Sequence, residues 1–278
     1  MFNCLIKSDI MLVRDTLWRL QQEGKMILVL DLGNTNLCVG VYQNQALICS
    51  FRTDSDLNRS ADMYATLLND FLTKNHLTPS SFEGAILSSV IPSLTDVITR
   101  AVESITGKQC LTINRGIKTG LSIHIDNPYE LGADLIADSV GAKKKYGYPC
   151  IITDLGTADK LLVIDKDGNY IGGTISPGIK TAGKALTKNA AQLMDISYKA
   201  PKNVIGKNSP DALNSGAIYG SVSMINGLTK MIEAELGYQT KHILTGGNSI
   251  LVKDFLPDYT YDPNLIFEGL YQIYLRNK

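Results

Sequence analysis

Two segments of this chain, Asp31-Leu32-Gly33-Asn34-Thr35 and Asp154-Leu155-Gly156-Thr157-Ala158, share one layout, and that layout restricts what the chain can fold into. Each follows an apolar run, Ile27-Leu28-Val29-Leu30 in the first and Ile151-Ile152 in the second. Each leads into a second β-like stretch, a polar turn (Gln43-Asn44-Gln45; Lys166-Asp167-Gly168-Asn169) and a return strand. Asp31 aligns with Asp154 and Gly33 with Gly156 without a gap. Self-similarity of this kind marks an internal duplication whose unit is a strand–turn–strand with a carboxylate at its tip.

An Asp at the end of a buried strand, followed by Gly, exposes a carboxylate where the chain turns sharply. Glycine lets a bound anion come close to the backbone, and Asn34, Thr35 and Thr157 add short hydrogen-bonding side chains. Two such hairpins face to face can grip a polyphosphate from both sides, with the carboxylates holding a cation among the phosphates. A single D-L-G is an ordinary hairpin turn, whereas two copies in register within matched hairpins point to a site. Thr245-Gly246-Gly247, after a short strand from His242, offers a surface free of side chains where an adenine or ribose can lie. Taken alone, it reads as a strand-to-helix turn.

The remaining periodicity completes an alternating α/β pattern. Met63, Tyr64, Leu67, Leu68, Phe71 and Leu72 form a helical stripe within 60–77, and Ala85-Ile86-Leu87 reads as a strand. Pro92 opens a helix that Gly107 stops, and 109–113 is a strand. A helix from Gly132 is interrupted at Tyr146-Gly147-Tyr148-Pro149, followed by the second hairpin. Further helices are expected near 181–192, over 209–236 and from Leu265, with a strand at 242–245. This order predicts two domains, 26–146 and 147–278, and 278 residues suffice for two cores.

Lys and Arg number 27 and are balanced by 27 Asp and Glu, so no basic footprint favours nucleic acid or anionic lipid. Lys143-Lys144-Lys145 reads as the solvated end of a helix, where cations suit the dipole. Cys4, Cys38, Cys49, Cys110 and Cys150 show no C-x-x-C pairing, so buried free thiols in a reducing cytoplasm are expected. His76, His124 and His242 lack metal-ligand spacing. No apolar stretch approaches the roughly 18 residues of a membrane span. Lys7, Asp9, Arg14 and Asp15 interrupt the apolar residues of the first 25, unlike a signal peptide. Residues 1–25 are expected to be a non-native or disordered extension, with translation starting at Met26.

In order along the chain stand Asp31–Thr35, Gly132-Ala133-Asp134, Asp154–Ala158, Gly172-Gly173-Thr174-Ile175-Ser176-Pro177-Gly178 and Thr245-Gly246-Gly247. From Met26 onward, this ordered set resembles the type III pantothenate kinases, which belong with sugar kinases, actin and heat-shock chaperones. The resemblance implies an α/β fold of two duplicated ribonuclease-H-like (actin-like ATPase) domains, with mixed β-sheets and an ATP cleft between them. It implies ATP-dependent phosphoryl transfer to pantothenate, the first step of coenzyme A biosynthesis. It further implies ATP with Mg²⁺, an activating monovalent cation (K⁺ or NH₄⁺) and a homodimer.

Residue by residue, the resemblance gives Asp31, Gly33, Asn34 and Thr35 to the ATP phosphates, with Asp31 also in the Mg²⁺ shell. It makes Asp134 the base that takes the proton of the substrate hydroxyl, and it gives Asp154 the monovalent cation. Gly156, Thr157, Gly246 and Gly247 fall to the nucleotide, and Gly132, Ala133, Asp134, Leu135, Ile125 and Ala190 to the substrate. The substrate side departs from the family pattern. Leu135 stands where the family has Arg, Ile125 where it has Tyr, Ala190 where it has Thr, and Asp159-Lys160 where it has two threonines. Lys160 could compensate by reaching in from the hairpin. Two alternatives follow from these departures: a divergent paralogue that phosphorylates a more apolar small molecule, or a non-catalytic nucleotide-binding regulator.

Overall fold

The computed structural model describes residues 25–189 and 195–278. The extension expected over 1–25 therefore lies, apart from Lys25, outside the described residues, as does Ala190. Two mixed sheets carry the molecule. The first has the order β3-β2-β1-β4-β5, built from β1 (Met26–Leu32), β2 (Asn36–Gln43), β3 (Ala46–Asp54), β4 (Phe82–Ser89) and β5 (Cys110–Thr112). The second has the order β11-β10-β7-β8-β9-β6, from β6 (Ser122–Ile123), β7 (Cys150–Leu155), β8 (Ala158–Ile164), β9 (Asn169–Pro177), β10 (Lys241–Thr245) and β11 (Thr260–Tyr261).

The duplication read from the two hairpins is thus a duplication of sheets. β1 and β7 each lie between an antiparallel hairpin partner (β2, β8) and a parallel neighbour (β4, β10). Both are covered on two faces, so each reads as a nearly unbroken apolar run. β6 breaks the pattern. It comes from the first half of the chain but pairs in parallel with β9, extending the second sheet.

The helices end where local chemistry stops them. In α1 (Ala61–Lys74) the Ser60 hydroxyl accepts from the Met63 amide, capping the first turn. α2 (Pro92–Thr106) opens on proline and closes on left-handed Gly107 (φ 65°). α3 (Ala133–Tyr146) follows Gly132, and α4 (Ile179–Asn189) follows β9. α5 (Ser209–Leu236) is capped by Asn208, which accepts from the Asp211 amide, and α6 (Leu265–Arg276) closes the chain.

One core joins the two sheets. Ile27, Val29 and Ile86 of the first sheet and Ile152, Leu162 and Ile243 of the second share a buried cluster with α3 and α6. The final helix thus returns to pack against β1 and β4 of the first sheet. α1 and α2 cover the other face of the first sheet, and α5 covers that of the second. α3 and α6 are drawn together at Gly269, where a Cβ would collide with the Ala137 carbonyl. Intrinsic propensity favours Ala over Gly in a helix by about 1 kcal/mol, so the sign of a substitution rests on this contact. Gly269→Ala is expected to destabilise the fold by about 1–3 kcal/mol, read as a lower denaturant midpoint.

Among the described residues, no helix is long and apolar enough to cross a membrane. Cys38, Cys49, Cys110 and Cys150 are free thiols. Cys110 and Cys150 are buried, and burial pushes both up to about 12.

Candidate active site

Asp31 and Asp154 stand near the ends of the two central strands, and the loops that follow meet. Thr35 Oγ1 and Thr157 Oγ1 are 3.1 Å apart. Each loop is braced from below. The Gly33 amide donates to the Asn36 carbonyl at 2.9 Å, and the Ser55 hydroxyl to the Gly33 carbonyl at 2.7 Å. On the other side the Gly156 amide donates to the Ala158 carbonyl at 3.1 Å, the Thr181 hydroxyl to the Thr157 carbonyl at 2.7 Å, and Asn248 Nδ2 to the Gly156 carbonyl at 2.7 Å. The two glycine amides therefore close their own turns. The donors left to face a ligand come from the residues after them, Asn34 and Thr35, both exposed, and Thr157.

α3 delivers a second pair of acids from below. Asp134 lies in its first turn, where a carboxylate suits the helix dipole. Asp138 follows one turn later on the same face. The Gly246-Gly247 pair closes the far side. Gly246 has φ +89°, and a Cβ there would strike Asp154 Oδ1 and the Leu155 backbone. A Cβ on Gly247 would stand 2.6 Å from the Arg52 guanidinium, which reaches over from β3.

The electrostatics follow from crowding. Lys160 Nζ sits 2.6 Å from Asp154 Oδ2 and 3.1 Å from Asp134 Oδ2. Burial alone would favour the neutral amine, but the two carboxylates outweigh it and hold Lys160 protonated beyond its ordinary range. Burial, then the charge of Asp134, pushes Asp31 up to about 7. Burial and the charge of Asp154 push Asp159 to about 7, against the Ile179 amide hydrogen-bonded to it. Asp138 is driven well above the usual carboxylate range by burial and Asp154. The Lys160 ammonium stands among five carboxyl groups, and three of them, Asp31, Asp138 and Asp159, are pushed toward the neutral form.

Asp31 Oδ1, Asp138 Oδ1 and Asp159 Oδ1 are buried without a hydrogen-bond partner. Oxygens left in that state are costly unless a cation or proton arrives. Among the described residues, no three of His, Cys, Asp and Glu form a metal cage. A magnesium ion carried in on phosphates needs only one or two carboxylates and its own waters, which Asp31 can supply.

The expected residues divide cleanly. Asp31, Thr35, Asp134, Asp154, Thr157 and the Gly246-Gly247 pair come together. Leu135 instead joins the core cluster with Leu121 and Val140 at 9% exposure, so its side chain is spent on packing. Ile125 is half-buried beside Gly172 of β9. Asp138 and Arg52 are additions that sequence reasoning passed over, and Asp159, read there only as a departure from the family pattern, joins the acids of the site. Asp138 had a readable signal, standing four residues after Asp134 on a helix. Arg52 had one only in register, since Asp31 pairs with Cys38 and Cys38 with Arg52 across the first sheet. The Arg52 Nε donates to Cys38 Sγ at 3.3 Å.

Comparison with known proteins bears on this geometry. The crystal structure of a protein described as a Baf family transcriptional activator from Campylobacter jejuni superposes with a TM-score of 0.57 at 19% identity, covering 90% of this chain and 98% of that one. MreB5 of Spiroplasma citri, solved with ADP, gives 0.50 at 11% identity, covering 91% and 99%. Both show the fold, the actin-like pairing of two ribonuclease-H-like units. In sequence, the chain is 36% identical over 256 residues to the type III pantothenate kinase of Moorella thermoacetica, covering 91% of this chain and 100% of that protein. The sequence model of type III pantothenate kinases matches residues 27–231, and the chain belongs to that family.

Proposed function

We propose that this chain transfers the γ-phosphoryl group of ATP to pantothenate, the first step of coenzyme A biosynthesis. The observation that carries the reading is the meeting of Thr35 and Thr157 above Asp31, Asp134 and Asp154, which gives one cleft both a two-sided phosphate grip and a carboxylate for the acceptor. Phosphoryl transfer asks for positioning and charge neutralisation more than covalent chemistry. Magnesium would supply neutralisation of the phosphates when bound, and the unpartnered Asp31 Oδ1 fits it.

The chain's own residues do the rest. Asn34, Thr35, Thr157 and the Gly246-Gly247 surface hold the nucleotide, with Gly33 and Gly156 fixing the turns. Asp134 accepts the proton of the acceptor hydroxyl and orients that oxygen, and Lys160 holds its carboxylate in place at 3.1 Å. Gly132, Ala133 and Ile125 border the acceptor. Exposed Ile175 (73%) and Ile205 (82%) suit burial in a homodimer, and the free thiols suit a cytoplasmic setting.

The test is ATP-dependent mass gain in a metabolite library that includes pantothenate. Phosphopantothenate formed at about 1–100 per second is the expected result. Transfer to a more apolar acceptor in preference to pantothenate would overturn the substrate and favour the divergent-paralogue reading, which the half-buried Ile125 supports.

A further inference from the structure

The two halves of the duplicated site differ in what faces the aspartate across the hairpin. In each hairpin the strand after the acidic turn presents one residue directly opposite the aspartate. Opposite Asp31 it is Cys38, a neutral thiol, and opposite Asp154 it is Lys160. The consequences differ accordingly. Asp31 keeps a buried oxygen without a partner, whereas Asp154 Oδ2 is taken by Lys160 Nζ at 2.6 Å. The other oxygen, Asp154 Oδ1, faces the Gly246 backbone so closely that a Cβ there would strike it. A distance of 2.6 Å is that of a charge-assisted hydrogen bond. The K⁺ or NH₄⁺ that the family resemblance attaches to Asp154 does not fit here, because an ammonium already holds Oδ2 and the Gly246 backbone crowds Oδ1.

We propose that Lys160 is a tethered counter-ion that replaces a free monovalent cation at Asp154, so that this chain works without K⁺ or NH₄⁺. The side chain is rigidly placed for such a role. Its ammonium is gripped by carboxylates from two elements, Asp154 on β7 and Asp134 on α3, and the side chain is 14% exposed. A free cation is lost at low salt and must be ordered again at each encounter. A tethered ammonium is present at every turnover, and Asp154 and Asp134 keep it charged against the cost of burial. Lys160 here is a positioning residue. It fixes the Asp154 turn that carries Thr157, and it links that turn to Asp134.

The proposal rests on the phosphoryl-transfer reading for its activity arm but not for its stability arm. Wild type, Lys160→Ala and Lys160→Thr (a residue suited to a strand) are compared in choline, potassium and ammonium chloride at equal ionic strength. Melting temperature, affinity for an ATP analogue and phosphoryl transfer are read in each salt. Wild type is expected to vary by less than about twofold among the salts, and both variants to lose about ten- to a hundredfold in nucleotide affinity or transfer in choline, the scale of one charge-assisted hydrogen bond. Potassium or ammonium should then restore most of that loss, and should raise the melting temperature of the variants but not of wild type. Stimulation of wild type by potassium of about tenfold or more would overturn the proposal. So would folded variants that respond to neither cation. If wild type transfers phosphate in no salt, the kinase reading fails, and the melting comparison still decides the role of Lys160.

Discussion

Asp134→Asn is expected to slow phosphoryl transfer by about 10²–10⁴-fold, the usual contribution of a positioned general base. The affinity for ATP should change little, because Asp134 enters the cleft from α3, whereas the phosphate grip comes from the hairpin turns. Asparagine keeps the shape and can still accept from Lys160 Nζ, now at 3.1 Å from Asp134 Oδ2. The loss is therefore one of proton acceptance and charge rather than of structure. Steady-state kinetics separates the cases. A fall in kcat with KM for ATP unchanged supports the base role, while a rise in KM for ATP alone would move Asp134 to nucleotide binding.

Asp31→Asn should abolish measurable transfer while making the unliganded protein more stable above neutral pH. The sign follows from the raised pKa. Burial and neighbouring charge push Asp31 from 3.8 to about 7 in the folded protein, so the folded state holds a proton that the unfolded chain has released between those limits. Stability from this group is thus lost as pH rises from about 4 to about 7, and the full penalty remains above it. Asparagine has no charge to bury, so the variant's melting temperature should exceed that of wild type at pH 8, by about 2–4 °C per kcal/mol gained, and converge with it only below the unfolded-state value of 3.8. Without the carboxylate, the magnesium carried by ATP loses its protein anchor. A variant less stable than wild type at pH 8, or one that retains phosphoryl transfer, would contradict this assignment.

Such a trade of stability for function is what a site built from crowded acids entails. The hairpin repeat was legible because its signals are local. An apolar run, an Asp-x-Gly turn and an alternating return strand lie within about twenty residues, and register does the rest. The long helix 209–236 was legible for a similar reason: Asn208, Pro210 and Gly237 mark its ends.

What the sequence hides depends on contacts between distant segments. β6 is two residues long, and its pairing with β9 crosses from the first half of the chain to the second. The return of α6 to the first sheet depends on Gly269 and Gly141 meeting α3 and α6 backbone, which no periodicity encodes. Leu135 illustrates the same limit at the site. The family resemblance gave its position to the substrate, but on a helix the residue after Asp134 points about 100° away, here into the core. Lys160 was expected to help at the acceptor. Its ammonium is committed to two carboxylates instead, a fact carried by the packing of β8 against α3.

The central claim is that two acidic turns, one from each sheet, close on a single triphosphate. A crystal structure with magnesium and a non-hydrolysable ATP analogue tests it most directly. The account predicts phosphate oxygens between the Thr35 and Thr157 hydroxyls, magnesium bonded to Asp31 Oδ1, and the base against the Gly246-Gly247 surface. Nucleotide bound to one sheet alone, with the Thr35 and Thr157 turns apart and Asp31 unliganded, would contradict it.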